Sequence, residues 1–377
     1  MRIIDLLSFQ NGINGTPEQY GKGIKYISVG DILNNDYITY DKIAGSIDIN
    51  QETLKNYSVT YGDILFQRSS EIKEDIGRTN VYLDKNHTAT FGGFVIRGKK
   101  IGDYNPTFFN YLLKSPSSRQ SIVRLGAGAQ HYNIGQENIK TLNFYFPDEE
   151  EQQKIANLFS KIDERIQTQI KIIELKQSLI KDIEDRILWK STNTHSRPIS
   201  DFIVELNDKS KIQNQYPLLS STKRGLFLQT DYFNKEAASS NNIGYKIVHK
   251  GDIIISPQNL WMGNITYNDK FDNGLVSPSY RIYKVKEEYN AFYISRILMS
   301  YRALSLYKNI SEQGASIVRR NLNVDAFNEL CFPIPDIKKQ DEVGLFLSKL
   351  HQELNSEIEI LRQLKNQKKY LLCNLFI

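Results

Sequence analysis

The sequence predicts a mixed α/β (α+β) fold made of two similar halves, each a globular segment followed by a long helix. Three observations support this prediction: two blocks recur at a fixed interval, both blocks end in a heptad pattern, and short motifs recur in the globular segments. Repeats at a large fixed period indicate architecture before any single motif does. A length of 377 residues fits two globular domains and two helices.

The repeated blocks align without a gap at an interval of 188 positions. The first contains Leu142, Phe144, Pro147, Asp148 and Gln152, and the second contains Leu330, Phe332, Pro335, Asp336 and Gln340. Asp148 and Asp336 are predicted to be helix starts, because Asp is favoured at that position and a strand is expected to end there. The two halves are therefore expected to share one architecture.

Each block ends in a long helix whose apolar residues follow a heptad. The seam comprises Phe159, Ile166, Ile173 and Ile180 in the first helix and Leu347, Leu354, Leu361 and Leu371 in the second, with a further row that includes Ile162 and Ile358. A sustained heptad is typical of a coiled coil, so each helix is expected to pair with the other. Two unrelated surface helices would leave the matched registers unexplained. Gln169, Lys176 and Lys368 interrupt the seam and either fix its register or mark where a third chain packs.

The globular segments correspond more loosely. Gly62-Asp63-Ile64 matches Gly251-Asp252-Ile253, and the segment 2–6 is aligned with 197–201. A helix around Phe108 and Phe109 has a counterpart around Phe292 and Tyr293. The predicted domains are 1–147 and 191–336, and the predicted helices are 148–190 and 337–377. Because the loops between matching elements diverge, the frame is suited to carrying two different recognition surfaces.

Composition limits the function only weakly. Hydrophobic residues at 40% and charged residues at 24% allow an ordinary core in each domain. The net charge of +5 favours polyanionic partners slightly. Cys331 and Cys373 lack the spacing of a disulfide framework, and no apolar run is long enough to span a membrane, so the cytoplasm is expected.

The search for catalytic motifs returns no active site and no metal site. The segment 15–23 fails the phosphate-loop pattern, since it has one residue too many between its glycines and no Ser or Thr after Lys22. Phe91-Gly92-Gly93-Phe94 lacks the glycine spacing of a dinucleotide fingerprint. The five histidines show no zinc-ligand spacing. An enzyme would also need a metal-binding acidic cluster or an Asn-Pro-Pro-aromatic motif, and the sequence has neither.

Polar and basic clusters in the loops suit contact with DNA. The candidates are Gln67, Arg68, Ser69, Lys73, Arg78, Arg124, Gln130, His131 and Tyr132 in the first half, and Lys223, Arg224, Gln258, Asn259, Trp261, Asn264, Arg319 and Arg320 in the second. Arg reads guanine and Asn or Gln reads adenine through paired hydrogen bonds, while Lys, Arg and backbone amides hold phosphates. Any one of these residues is as readily explained as a solvated loop residue. The clusters carry weight because they recur at equivalent places, after Gly-Asp-Ile and before the final strand.

On these repeated blocks, with Gln152 and Gln340 at their helix starts and the two Gly-Asp-Ile elements, the chain resembles the specificity subunit of Type I restriction-modification systems over its full length. The resemblance implies two target recognition domains, each an α/β unit, separated by two spacer helices that form an antiparallel coiled coil. It implies a non-catalytic subunit that joins two methyltransferase subunits, which bind S-adenosylmethionine, and two motor-nuclease subunits, which use ATP and Mg²⁺. The chain departs from the family in having almost nothing ahead of Ile4.

The expected mechanism is recognition of a bipartite, asymmetric site in double-stranded DNA. Each domain would read one half in the major groove, as a dimer's symmetry is mirrored in its operator. A helix of roughly 40 residues would span about 60 Å, so the coil would fix a spacing of about one DNA turn, ~10 base pairs. Two alternatives stay open: the DNA-reading subunit of another restriction-modification type, and a protein-only coiled-coil adaptor.

Overall fold

The computed structural model describes residues 2–128, 131–190, 194–223, 225–232, 241–313 and 320–376. The chain divides into two units, the first comprising Met1–Ile170 with Glu359–Ile377 and the second Lys171–Ile358. Each unit contains a globular part together with portions of both long helices. The mixed α/β fold predicted from the sequence is confirmed.

The first unit contains a mixed set of short strands and helices. Its strands are β1 (Leu7–Asn11), β2 (Tyr20–Ile27), β3 (Gly45–Ile47), β4 (Ile64–Gln67), β5 (Ser69–Ser70), β6 (Thr79–Val81), β7 (Thr90–Phe91), β8 (Val95–Lys100) and β9 (Tyr132–Asn133). Its helices are α1 (Val29–Asn34), α2 (Gln51–Asn56), α3 (Pro106–Lys114), α4 (Pro116–Arg124) and α5 (Gln136–Lys140), followed by the long helix α6 (Glu149–Trp189), which continues into the second unit.

The central sheet of the first unit is antiparallel, with strand order β1-β8-β4-β6. A smaller sheet of order β3-β2-β7 contains one parallel pair, β2 with β7. Helix α3 buries Phe108, Phe109 and Leu113 in the core next to Phe159 of the long helix. A fully buried side chain of this size stabilises a fold by about 1.5–3 kcal/mol, so the long helix is an integral part of this core.

The second unit repeats this plan. Its strands are β10 (His195–Pro198), β11 (Ile203–Leu206), β12 (Leu219–Thr222), β13 (Gly225–Leu228), β14 (Lys246–His249), β15 (Ile253–Ile255), β16 (Ile265–Tyr267), β17 (Asn273–Val276), β18 (Arg281–Val285), β19 (Ser311–Gln313), β20 (Arg320–Leu322) and β21 (Cys331–Ile334). Its helices are α7 (Ile199–Phe202), α8 (Gln229–Tyr232), α9 (Ala291–Leu298), α10 (Tyr301–Asn309), α11 (Val324–Glu329) and the long helix α12 (Ile337–Asn374), whose last part lies in the first unit.

The central sheet of the second unit has the order β11-β18-β15-β16, which corresponds strand by strand to that of the first unit. Helix α9 corresponds to α3, because both begin after an Asn whose side chain accepts a hydrogen bond from the third backbone N–H of the helix. The predicted structural repeat is thus present in the strands and helices as well as in the sequence.

The repeated Gly-Asp-Ile motif is a structural turn. Gly62 and Gly251 have φ of 92° and 94°, a conformation that favours glycine. The buried Asp63 carboxylate accepts from the backbone N–H groups of Thr60 and Lys100, and that of Asp252 accepts from His249. Burial raises the pKa of both carboxyls despite these hydrogen bonds. The motif therefore fixes the entry into the central strand of each sheet.

The repeated Gln is also structural. Gln152 is 3% exposed; its amide donates to the Pro147 carbonyl at 2.9 Å and accepts from the backbone N–H of Asn105 at 3.0 Å. Gln340 makes the same two bonds, to Pro335 and from Asn290, at 2.9 and 3.0 Å. Each Gln therefore ties the start of a long helix to the start of α3 or α9.

The long helices begin where the sequence predicts. The Asp148 carboxylate accepts from the backbone N–H of Glu151 at 3.0 Å, and that of Asp336 accepts from Lys339 at 2.9 Å. Three acidic residues fill the first turn of α6, where the helix dipole favours negative charge. The prediction that both Asp residues start helices is confirmed.

The predicted seam is buried along most of its length, and the two helices run antiparallel within each unit. Phe159, Ile166, Ile173, Ile180, Leu347 and Leu354 are at most 8% exposed, and Leu361 and Leu371 are partly buried. In the second unit, Lys176 pairs with Glu357 at 2.8 Å, and Glu184 contacts His351. Ile358 of the further row is 43% exposed, so its predicted place in the seam is wrong.

Polar residues anchor α3 and α9 to the long helices. In the first unit, the Tyr111 hydroxyl donates to Asp163 at 2.8 Å, and Lys368 pairs with the other oxygen of Asp163 at 2.5 Å. Lys368, one of the residues that interrupt the seam, is therefore paired within the first unit. Burial, followed by the charge of Asp163, raises the pKa of Tyr111.

The second unit has an anchor at the equivalent place. Glu184, 7% exposed, accepts from Arg296 Nε at 2.6 Å and Nη2 at 2.9 Å, and it contacts His351 Nε2 at 2.8 Å. Burial alone would raise the pKa of Glu184, but the bonds from His351 and Arg296 outweigh it and lower that pKa below its usual value.

The predicted alignment of the two N-terminal segments is wrong by one residue. The backbone N–H of Ile3 donates to Leu142 and that of Ile199 donates to Leu330, so Ile3 corresponds to Ile199. The Arg that begins each segment does not mark equivalent positions. Arg2 pairs with Asp5, three residues later, whereas Arg197 pairs with Asp201, four residues later.

Candidate nucleic-acid interface

Loops from distant parts of the sequence meet at one edge of the first unit's central sheet. Beyond the end of β4, Ser69 and Ser70 form β5 and pair with Asn133 and Tyr132 of β9. Ser69 Oγ donates to Asn133 Oδ1 at 2.5 Å. The first polar edge, residues 67–70, 93–94 and 131–134, thus combines the two clusters that the sequence places after Gly-Asp-Ile and before the final strand.

Arg68 lies at the centre of the first polar edge. Its backbone N–H donates to the Phe94 carbonyl at 2.9 Å, and its carbonyl accepts from Ile134 at 3.0 Å. Its guanidinium donates through Nη1 to the Gly93 carbonyl at 3.3 Å. The backbone of Arg68 is therefore held on both sides.

The other candidates in the first unit differ in exposure. Gln67 is only 4% exposed, and its amide donates to the Ser69 carbonyl, so it stabilises the turn that follows β4. Arg78 is exposed and paired with Asp75 at 2.5 Å. Lys73, Arg124 and His131 are exposed, and Tyr132 is partly buried.

The loop that carries Lys73 and Arg78 is braced by a residue that the sequence analysis missed. Arg119 of α4 donates to the carbonyls of Gly77 and Ile76, both at 2.7 Å, and to Glu74 at 3.0 Å. Burial lowers the pKa of Arg119 to about 10. Its position in a helix of otherwise ordinary composition gave no signal of this role.

The second unit has an equivalent polar edge, formed by residues 256–264, 277–280 and 320–322. Ser256 donates its backbone N–H to Asn264, and the Asn264 backbone N–H donates to Asn259. The Asn259 side chain donates to Ser256 Oγ at 3.3 Å, and Asn264 accepts from Ser221 Oγ at 3.0 Å. Hydrogen bonds within the loop 256–264 therefore hold its shape. The side-chain amides of Asn259 and Asn264 already have partners inside the protein.

Arg320, which belongs to the polar cluster before the final strand of the second unit, contacts the loop 256–264. Its backbone N–H donates to the Gln258 carbonyl at 3.2 Å, and its guanidinium lies over the Trp261 ring, 4.5 Å from the centroid. Such stacking pre-orients the planar guanidinium. Gln258 and Lys223 are exposed. The predicted candidates Gln130, Arg224 and Arg319 lie outside the described residues.

A cleft of about 510 Å³ opens between Pro257 and the turn 277–280. Arg281 pairs there with Glu205 at 2.7 Å, and burial lowers the pKa of the neighbouring Lys246. The sequence analysis missed these three charged residues, because they lie on three separate strands. Only the register of β18 against β11 and β15 brings Arg281 to the edge.

The described part of the chain offers polar surfaces for contact. No group of three or more His, Cys, Asp or Glu among the described residues could hold a metal ion. Nor does any described helix combine the length and apolar character needed to cross a membrane. The fold therefore defines a protein with two similar α/β domains, each with a polar edge built from the same two loops.

Comparison with known proteins finds similar sequences. The Type I restriction modification DNA specificity domain matches residues 12–177. Over 363 residues the chain is 24% identical to the MjaX protein of Methanocaldococcus jannaschii, provisionally named a type I restriction enzyme specificity subunit, with 89% of this chain and 82% of that protein covered. The resemblance seen in the sequence, to the specificity subunit of Type I restriction-modification systems, is confirmed.

Solved structures show the same fold. The S subunit of the Type I restriction-modification system from M. genitalium is 15% identical, with a TM-score of 0.54 over 100% of this chain and 95% of that chain. A chain from a structure on complex assembly and conformational transition of the type I R-M system is 10% identical, with a TM-score of 0.60 over 99% and 95%. Two domains with long helices are thus an architecture that these proteins share.

Proposed function

We propose that this chain is the non-catalytic DNA-reading subunit of a Type I restriction-modification complex, and that each domain reads one half of a bipartite, asymmetric site in the major groove. One observation carries the proposal. In both units the loop after the Gly-Asp-Ile strand meets the loop before the last short helix, although the two loops are more than 60 residues apart in sequence. The frame is repeated, whereas the side chains at the two edges differ.

The difference between the edges supports an asymmetric site. The first edge offers Arg68 beside Ser69 and Asn133, and the second offers Arg320 stacked on Trp261 beside Gln258. Arg, Asn and Gln are the side chains that discriminate base pairs in the major groove through paired hydrogen bonds. Two domains with different side chains at matching places would select different half-site sequences.

The catalytic chemistry would belong to partner subunits. Two methyltransferase subunits would bind S-adenosylmethionine and modify an adenine in each half-site, and two motor-nuclease subunits would use ATP and Mg²⁺ to cleave unmodified DNA. This chain would position them on the target, in the cytoplasm. A net charge of +5 suits this division, because the partners can supply further phosphate contacts.

A docking surface for a methyltransferase subunit is available on α6. Ile172, Leu175 and Leu179 are 36%, 71% and 59% exposed, and their spacing places them on one face of the helix. Exposed apolar residues that share a helix face are typical of an interaction surface. Leu175→Glu is expected to reduce co-purification of the methyltransferase subunit, whereas Gln177→Glu, an exposed change on the opposite side of the same helix, is expected to leave it intact.

The decisive experiment co-expresses this chain with its cognate methyltransferase subunit in a host without adenine methylation and sequences the modified bases. The expected result is a split, asymmetric motif with one methylated adenine in each half. A soluble complex that methylates nothing, or methylates without sequence preference, would contradict the proposal.

Single substitutions then assign the half-sites. Arg68→Ala is expected to relax the sequence preference in one half only, and Asn259→Ala in the other, each by about 1–3 kcal/mol of discrimination. Because the Asn259 amide also donates to Ser256 Oγ, Asn259→Gln, which retains an amide donor, is its conservative companion. An even loss of affinity across all sequences would reassign the residue to phosphate contact.

The two alternatives make different predictions. A protein-only adaptor would give no salt-dependent gel shift with DNA, whereas a DNA reader loses affinity steeply as salt rises. A reading subunit of another restriction-modification type would methylate or cleave with different partners in the same co-expression experiment.

The long helices are proposed to set the spacer between the half-sites. The 41 residues of α6 correspond to about 60 Å, and the half-sites are expected about one helical turn apart, ~10 base pairs. Insertion of one heptad into both helices keeps the seam in phase. It is expected to change the spacer length in the methylated motif while both half-site sequences stay the same.

A further inference from the structure

The turn between β7 and β8 presents an exposed aromatic residue. Phe94 is 67% exposed, directly after Gly92 and Gly93. The Gly92 N–H donates to Ile27 at 3.0 Å, and the Val95 N–H donates back to Gly92 at 2.8 Å. The turn is therefore tied to the neighbouring strand and closed on itself.

Protein atoms crowd the inner side of this turn. A Cβ built on Gly92 would overlap the Tyr26 hydroxyl, and one built on Gly93 would overlap the Asn14 amide. Both glycines thus allow close approach of the chain behind the turn. With its inner side filled, the turn holds Phe94 toward solvent on a short, fixed connection.

Phe94 belongs to the first polar edge. Gln67 is the register partner of Val95, so Arg68 and Phe94 continue the ladder between β4 and β8. The Arg68 N–H donates to the Phe94 carbonyl at 2.9 Å, and the Arg68 guanidinium donates to the adjacent Gly93 carbonyl. A large apolar side chain therefore stands beside the Arg that is proposed to contact bases.

Single exposed apolar residues are common on protein surfaces, so exposure alone decides nothing. The position of Phe94 beside Arg68 is more informative about its role. The thymine C5-methyl is the apolar group that base edges present in the major groove, and Phe is one of the side chains that contact it. We infer that Phe94 is a specificity-determining residue that contacts a thymine methyl in the half-site read by the first domain. This inference rests on the proposed function.

The equivalent turn in the second unit has different chemistry. Between β17 and β18 it contains Ser277 and Ser279, whose hydroxyl oxygens lie 3.0 Å apart, with Pro278 between them. The Ser279 backbone N–H also donates to Ser277 Oγ at 3.4 Å. A polar tip replaces the aromatic one, so the thymine contact by this turn is expected in one half-site only.

The test uses the complex of this chain with its methyltransferase subunit and a duplex carrying the motif found by methylation sequencing. Each thymine of the first half-site is replaced in turn by uracil, which lacks only the methyl group. At one position the wild-type complex is expected to bind about fourfold more weakly, the effect of one methyl group that loses its apolar contact. Phe94→Ala is expected to abolish this difference, and Phe94→Leu to retain most of it.

Tyr145→Ala is the matched control, since Tyr145 is an 89% exposed aromatic residue of the same unit outside the polar edge. It is expected to keep the full response to uracil. The inference is overturned if the half-site contains no thymine, if no uracil substitution weakens binding, or if Phe94→Ala responds to uracil as the wild type does. A wild-type complex without any sequence preference would instead overturn the proposed function, and the inference with it.

Discussion

The buried carboxylate of Glu184 is expected to be a main determinant of the second unit's stability. It accepts two hydrogen bonds from Arg296, at 2.6 and 2.9 Å, and contacts His351 at 2.8 Å. Glu184→Gln preserves the shape of the side chain but removes its charge. Because an amide has only one acceptor oxygen, one N–H of the Arg296 fork loses its partner.

The magnitude follows from these contacts. An unpaired buried donor costs about 1–3 kcal/mol, and breaking a buried ion pair by removing one partner costs about 3–5 kcal/mol. The Arg296 side chain is 17% exposed, so water recovers part of the loss. We expect Glu184→Gln to lower the free energy of unfolding of the second unit by about 2–3 kcal/mol at pH 7.

The effect should depend on pH in a definite direction. The folded-state pKa of Glu184 lies below its ordinary value of 4.5. A depressed acid pKa contributes stability that is fully present above the unfolded-state pKa and is lost as the pH falls through the folded-state pKa. The difference between wild type and Glu184→Gln should therefore be constant near neutral pH and shrink below about pH 4.5, since a protonated Glu resembles a Gln.

Tryptophan fluorescence reports on the second unit alone. Both tryptophans of the chain, Trp189 and Trp261, lie in that unit. Trp189 donates to Ser300 Oγ at 2.9 Å, so its environment changes when this core opens. Urea unfolding monitored by this fluorescence at pH 7 and at pH 4 gives the required free energies.

Glu205→Gln is the matched control, because Glu205 pairs with Arg281 in the same unit but is 37% exposed. Exposed ion pairs contribute about 0–1 kcal/mol. The reasoning would be refuted if Glu184→Gln destabilised the unit no more than Glu205→Gln at pH 7. It would also be refuted if the loss were as large at pH 4 as at pH 7.

Two further predictions concern the repeated structural motifs. Gln152→Ala and Gln340→Ala each remove two buried hydrogen bonds and are expected to cost about 1–3 kcal/mol, measured by urea unfolding; unchanged midpoints would show that the bonds contribute nothing net. Gly62→Ala and Gly251→Ala both force a side chain into a left-handed backbone, at a cost of about 1–2 kcal/mol. Gly62→Ala should be the more damaging in thermal unfolding, because its Cβ would meet Lys100 Cδ at 2.9 Å whereas that of Gly251 meets only the Tyr267 hydroxyl at 4.0 Å; the reverse order would contradict this steric argument.

The frame of this protein could be predicted from the sequence because it depends on periodic and repeated signals. The heptad through Phe159 and Ile166 and the repeated Gln152 and Gln340 are local patterns that require no knowledge of tertiary structure. They correctly gave the helix starts and the buried seam. Lys176 interrupts the apolar pattern of the seam, and its pairing with Glu357 supplies the physical reason for a charged residue at this position.

The chemistry of the edges could not be predicted to the same depth, because it depends on strand register. Gln67 and Arg68 are neighbours in sequence, yet Gln67 is buried while Arg68 continues the ladder at the polar edge. Side chains alternate along a strand, so a difference of one residue decides which faces the core. Arg119 and Arg281 reach the loops only through helix packing and strand pairing, which leave no local pattern.

The anchors show how a repeated frame can hold different domains. Tyr111 and Arg296 occupy equivalent positions in α3 and α9, since each lies six residues after the capping Asn. Tyr111 meets an Asp on the long helix, whereas Arg296 meets a Glu. The position of the donor is retained while its partner moves: Asp163 lies on the long helix that follows α3, whereas Glu184 lies on α6 and not on α12, the long helix that follows α9.

The side chain on α3 or α9 fits the long-helix residues of its own unit and would not fit those of the other unit. Arg296 placed opposite Lys368 would bring two positive charges together at a partly buried site, where like charges are costly. Each globular domain is therefore fitted to its own portion of the long helices, and the portions carry the complementary residue. The long-helix residues that contact each domain thus belong to the same unit as that domain, while the side chains at the two polar edges differ.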